Sequence, residues 1–382
     1  MLIIAEIGTS HEGSKKKARE LIDCAVSAGA DAVKFQWVYA DEILHPDTGF
    51  VKLPTGNIRL YDRFKQLECD SSFYKKMLDY AHLKGVKFVC SPFGVKSLSE
   101  LLEIKPDFVK IASPELNHFP LLKKLAEYRS LQRARNEKPV PAIVSTGVSK
   151  LKDIEKALAI LCYDEKGRFV PDGISLLHCI TSYPAPENEY NLKLIENLKN
   201  IFGVAAGLSD HSLDPVLVPV LSVFCGGTII EKHITLSKKT SGLDDPVALE
   251  GEQFALMVHS VHQAEAVLNR YGKEEGFLQA IKQLEESYER EKIFACIGDG
   301  IKRLASAEEK NYGRTNRSLH FMKAMKKGEK ICADDIAVLR TEKVLSPGIG
   351  PEFLENAVGA VLARDVQNGS GVQFEDLILR AQ

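Results

Sequence analysis

The chain has almost no net charge, no paired-cysteine motif and no long unbroken apolar run, and each absence narrows its function. With 50 Lys and Arg against 52 Asp and Glu, the formal charge is only −2. That removes the electrostatic footprint of a nucleic-acid or anionic-membrane partner. The eight cysteines contain no CxxC pair. Several lie inside apolar segments, the pattern of buried thiols in a reducing cytoplasm. No basic segment precedes Leu2-Ile3-Ile4-Ala5, so a signal peptide is not expected. The longest apolar stretch, Pro215 to Ile230, is broken by Pro219, Ser222 and Gly226-Gly227. It reads as a buried helix feeding a buried strand rather than a membrane span. No GxGxxG follows the first apolar run, no P-loop occurs, and Thr9-Ser10-His11-Glu12-Gly13 lacks the His-x-His of a barrel-type metal hydrolase.

What is present is a repeating pattern. Leu2–Glu6, Ala32–Phe35, Lys87–Cys90, Phe108–Ile111, Ala142–Ser145, Ser175–His178, Val204–Gly207 and Thr228–Glu231 are short apolar runs separated by helical periodicity. In the first helix Ser14 can cap, Ala18, Leu21, Ile22, Ala25 and Val26 share a face, and Gly29 supplies a left-handed exit. Continuous apolar strands alternating with helices imply a parallel sheet. Eight such units match the roughly 250 residues of a (β/α)8 TIM barrel. The expected division is a barrel over 1–275, a charged helical linker over 276–313 and a small, mostly β module over 314–382. A module that small is marginal alone and needs a surface to pack on.

If the barrel is right, chemistry gathers at the C-terminal ends of its strands. Two segments there share one form: Gly207-Leu208-Ser209-Asp210-His211 and Ile229-Ile230-Glu231-Lys232-His233. Each closes an apolar run on a histidine, and one helix plus one strand fits between them. Two imidazoles so placed suggest a metal site, with Asp210 and Glu231 as orienting or acid–base groups. The other strand ends offer Glu6, Lys34, Gln36, Ser91, Lys110, Ser113, Glu115, Ser145, His178, Thr181, Tyr183 and Ser209. Ammonium and hydroxyl groups in one place are what a phosphate requires.

These segments resemble the sialic acid (N-acetylneuraminate) synthase family. Ile3–Gly8, Ala28–Gln36, Ser91-Pro92-Phe93, Lys110–Glu115, Ser145-Thr146-Gly147, His178-Cys179, Tyr183-Pro184, Gly207–His211, Glu231–His233 and Asp244 follow in the family's order. Asn316-Arg317-Ser318-Leu319 through Pro347-Gly348-Ile349-Gly350 resembles its antifreeze-like (SAF) domain. The resemblance implies condensation of phosphoenolpyruvate with an N-acetylated mannosamine-type hexosamine in the cytoplasm. It implies His211 and His233 as Mn2+ or Mg2+ ligands. Lys34, Ser91, Lys110, Ser113, Ser145, Thr181 and Ser209 would hold phosphoenolpyruvate, while Gln36, Tyr183 and Asp244 would face the sugar. Glu6, Glu115 and Glu231 are the expected proton-handling groups. The tail would cap the barrel of a second subunit in a domain-swapped homodimer and bring Arg340 to the sugar. Thr181, Pro114 and Gly94 depart from the Asn, Gly and Asp that the resemblance expects. The same chemistry on a pseudaminic, legionaminic or phosphorylated sugar is the alternative, followed by a catalytically silent carbohydrate-binding protein.

Overall fold

The computed structural model describes residues 1–378 except 54, 55, 165, 241 and 343, so the expected last residues of the tail, 379–382, lie outside the described residues. Eight parallel strands close on themselves: β1 (Leu2–Gly8), β2 (Ala32–Trp37), β3 (Lys87–Pro92), β4 (Phe108–Ile111), β5 (Ala142–Ser145), β6 (Ile174–Cys179), β7 (Ala205–Asp210) and β8 (Ile229–Thr235). Each pairs with the next, and β8 returns to β1 with Ile4 opposite Glu231. The eight apolar runs are thus the eight barrel strands. The stretch from Pro215 forms the wholly buried helix Leu217–Phe224 followed by β8. No helix among the described residues is long and apolar enough to cross a membrane. The first helix, Lys15–Ser27, starts where Ser14 accepts from the N–H of Lys17 at 3.2 Å.

Strand alternation builds the site. Ile4, Ala32, Val89, Ile143, Leu177 and Ile229 form one buried cluster, with Leu2 and Phe108 against it, and plug the barrel's lower end. Side chains two residues further along a strand share a face. The next inward layer is therefore Glu6, Lys34, Ser91, Lys110, Ser145, Cys179, Ser209 and Glu231, and His233 lies one step above. Between Leu177 and Ile229 the inward position on β7 is Gly207. A Cβ there would lie 2.3 Å from the carbonyl oxygen of Ile229, so only glycine lets β7 and β8 approach.

The charged stretch and the tail both pack against the barrel. Helix Gly251–Leu284, kinked at Gly272, crosses residue 275, and helix Arg290–Ile297 follows it. Ala280, Ile281, Leu284, Ile293 and Cys296 join the barrel's core cluster, so apolar residues within the charged stretch pack on the barrel. The tail has its own core around Leu319, Phe321, Ile331, Leu362 and Val372. Its longest pairing joins β9 (Arg317–Phe321) to β10 (Ile336–Arg340), antiparallel, with Arg317 opposite Arg340. The tail lies over the barrel mouth of its own chain. Asn117 and Arg317 exchange two bonds of 2.8 and 2.9 Å, and His45 meets Asn368 at 3.1 Å.

Candidate active site

A cavity of about 350 Å³ opens at the C-terminal ends of the strands, and every expected site residue except Glu115 lines it. Its floor is a buried charge network. Lys34 lies 3.0 Å from Glu6 and 3.7 Å from Glu231, and Lys110 lies 3.2 Å from Glu231. Ser209 donates to Glu231 at 3.0 Å, Gln36 donates to Glu6 at 2.8 Å, and Lys34 donates to Ser91 at 3.3 Å. Burial pushes Glu231 toward its neutral form, but Lys110 and Lys34 outweigh that and hold its pKa below the carboxylate range. Burial dominates at Glu6, reinforced by the charge of Glu231 against Lys34, and raises its pKa. Lys110 is lowered because burial and Lys34 together outweigh Glu231. One carboxylate is thus held as an anion and its neighbour is eased toward the acid, the separation acid–base chemistry uses. Two buried hydroxyl oxygens, Ser145 Oγ and Thr181 Oγ1, have no hydrogen-bond partner among the described residues.

Above the floor stand the imidazoles, with the ring centroids of His211 and His233 5.5 Å apart. Nδ1 of His211 lies 2.7 Å from the carbonyl oxygen of Ile180. A carbonyl only accepts, so Nδ1 carries a proton, and Nε2 is the nitrogen that a metal would have to take in the neutral ring. Asp244 reaches within 3.8 Å of His233, and the Tyr183 ring lies tilted by 30° against His211 at 4.2 Å between centroids. Among the described residues no three His, Cys, Asp or Glu side chains converge as a complete metal cage. His211 and His233 stand there as a pair of imidazoles.

Glu115 is fully buried just behind the cavity wall of Ser113, Pro114 and Arg340, and its Oε1 accepts from Arg317 at 2.9 Å and from Arg340 at 2.7 Å. Arg317 and Arg340 face each other across the β9–β10 pair, where like charges repel, and one carboxylate from the barrel joins them. In this structure Glu115 anchors the cap through both arginines. Arg340 itself lines the cavity, with its guanidinium 5.0 Å over the Phe93 ring.

Three supports, Lys232, Arg317 and Glu308, were not foreseen, whereas Asp210 was expected as an orienting or acid–base group. Lys232 and Asp210 form a buried pair at 2.6 Å on the outward faces of β8 and β7. Asp210 also accepts from the hydroxyl of Tyr190 at 2.6 Å, and that hydroxyl accepts from the N–H of His211 at 2.8 Å. The outward members of the two histidine segments thus orient the inward ones, and alternation along each segment was the available signal. Arg317 and Glu308 carried none: each becomes meaningful only once distant segments pack. His178, one residue out of phase, points away from the mouth and bonds to the carbonyl of Tyr190.

Comparison with known proteins agrees with this architecture. The NeuB family profile matches residues 21–273 and the SAF domain profile matches 316–378. The spore coat polysaccharide biosynthesis protein SpsE of Bacillus subtilis is 32% identical over 383 residues, covering 100% of this chain and 94% of that protein. Its crystal structure superposes with a TM-score of 0.79 at 30% identity, covering 100% of this chain and 96% of that one. The N,N'-diacetyllegionaminic acid synthase of Campylobacter jejuni is 32% identical over 357 residues, covering 92% of this chain and 94% of that protein. A pseudaminic acid synthase of Campylobacter jejuni is 30% identical over 380 residues, covering 98% of this chain and 96% of that protein. The chain belongs to the NeuB family of sialic-acid-type synthases and ends in a SAF domain.

Proposed function

We propose that the protein condenses phosphoenolpyruvate with the open-chain aldehyde of an N-acetylated mannosamine-type aldose, giving a nine-carbon 2-keto-3-deoxy acid and phosphate. The observation that carries this reading is the cavity floor, where buried Lys34 and Lys110 stand with the unpartnered hydroxyls of Ser145 and Thr181. A phosphorylated carboxylate supplies acceptor oxygens for the two hydroxyls and negative charge that two ammonium groups sharing Glu231 can hold. Ser91, Ser113 and Ser209 extend the same set.

C3 of the enol forms a bond to the aldehyde carbon, water adds at C2, and the C2–oxygen bond to phosphate breaks. Glu6, eased toward its acid form beside Lys34, is placed to exchange protons with the water or the new hydroxyl. Glu231 stays anionic between the two lysines and fixes both ammonium groups. His211 and His233 would hold Mn2+ or Mg2+, which when bound supplies Lewis-acid polarisation of a carbonyl. Gln36, Tyr183, Asp244 and Arg340 also line the cavity and would face the aldose.

A second reading, a diacetamido aldose of the legionaminic or pseudaminic type, is favoured by the names of the relatives at 32% and 30% identity. Phosphate release from phosphoenolpyruvate with a panel of mono- and di-N-acetylated hexosamines, free and phosphorylated, separates these. At least one should support turnover in Mn2+, and chelator should abolish it. Turnover with none removes the condensation, and full activity in excess chelator removes the metal.

A further inference from the structure

The stretch that composition marks as a charged linker delivers one carboxylate into the barrel. Glu308 is 1% exposed, and its Oε1 accepts from the backbone N–H of Val148 at 2.8 Å and of Thr181 at 2.6 Å. Those two amides lie on different loops, after β5 and after β6. Where the loops meet stands Gly147, whose N–H donates to Ser113 Oγ at 3.0 Å. A Cβ on Gly147 would fall 2.2 Å from Thr181 Oγ1, 2.9 Å from Ser113 Oγ and 3.1 Å from Glu308 Oε1. Three polar side chains from three segments therefore close on one backbone position. Val148 beside it has φ of +40°, a conformation a β-branched residue keeps only when its surroundings impose it. Lys302, from the same linker, donates to the carbonyl of Thr146 at 2.9 Å.

We propose that Glu308 is a positioning residue for phosphoenolpyruvate. Its carboxylate ties the loop after β5 to Thr181, so that the hydroxyls of Ser113, Ser145 and Thr181 meet one anion together. The inference rests on the reading of this cavity as the phosphoenolpyruvate site. A carboxylate suits the task because hydrogen bonds to an ionised acceptor are roughly twice as strong as neutral ones, and a single oxygen spans both amides. Its charge is directed at those N–H groups, behind the hydroxyls.

The test compares wild type, Glu308→Gln and Glu308→Ala in Mn2+. Phosphoenolpyruvate binding is measured by calorimetry without aldose, and both KM values by phosphate release. Glu308→Ala should bind phosphoenolpyruvate at least tenfold more weakly, while the aldose KM moves less than twofold. Glu308→Gln keeps an accepting oxygen without the charge and should fall between, which a simple staple between linker and barrel would not produce. Should the alanine variant fail to fold, the near-isosteric glutamine variant decides alone. Unchanged phosphoenolpyruvate affinity in a folded variant, or equal loss for both substrates, overturns the assignment. Wild type that binds no phosphoenolpyruvate overturns the functional reading and this inference with it.

Discussion

At the scale of single residues, the site is a matter of which side chains share a strand face. Glu6, Lys34, Ser91, Lys110, Ser145, Ser209, Glu231 and His233 could be gathered from the sequence because the two-residue period needs only correct strand positions. Glu115 could not be sorted the same way: it lies beyond β4, in a short 3-10 turn over Ser113–Glu115, where that period no longer applies. Two substitutions separate these classes. Lys110→Ala should weaken phosphoenolpyruvate binding by roughly 2–4 kcal/mol, the scale for truncating one partner of a buried hydrogen-bonded charge pair. Its aldose KM should be little changed; if only the aldose KM moved, the phosphate pocket would lie elsewhere. Glu115→Ala leaves Arg317, wholly buried, and Arg340 without their shared carboxylate. It should lower unfolding free energy by about 3–5 kcal/mol in a denaturant titration and raise the aldose KM. A stable variant with a purely catalytic defect would return Glu115 to the reaction.

At the scale of elements, boundaries were the weaker part of the reading. The run ending at Glu231 continues as β8 to Thr235, so His233 belongs to the strand rather than following it. Helix starts show how a local departure can be made good from a distance. The helix Val95–Glu103 begins after Gly94, where the resemblance expects an Asp that would cap it. In its place Glu42, from the short helix Ala40–Ile43, accepts from the N–H of Lys96 at 2.6 Å and of Ser97 at 3.0 Å. The same carboxylate fills the space at residue 94, since a Cβ there would lie 2.4 Å from it. A cap from another segment leaves no local mark in the sequence. The arrangement predicts sign reversal in a double-mutant cycle. Glu42→Ala should cost about 1 kcal/mol, the worth of a cap, and Gly94→Asp alone should also destabilise. Together, the new Asp occupies the vacated space and should recover most of the loss by thermal denaturation. A double variant no better than the sum of the two removes the exchange of caps.

At the scale of the whole molecule, barrel and tail were both legible as modules, but the surface that joins them was not. The joining groups, Arg317 and Arg340 with Glu115 and Asn117 with Arg317, are ordinary polar residues until the two modules touch. Exchange of an identical element between two chains reuses the contacts it makes within one, so the Arg340–Glu115 pair that closes this chain on itself is also the pair a swapped dimer would form. We propose the swapped homodimer on the family resemblance, and complementation distinguishes it from closure within the chain. Arg340→Ala and His211→Ala should each be nearly inactive. After mixing and re-equilibration under exchange, random pairing makes about half the dimers mixed, each with one site drawing an intact Arg340 and an intact His211 from different chains. About 25% of sites should then recover, measured as phosphate release against a wild-type standard. With the tail held over its own barrel, every site retains one defect. Mixing then recovers nothing, and that result would leave the single chain as the complete catalytic unit.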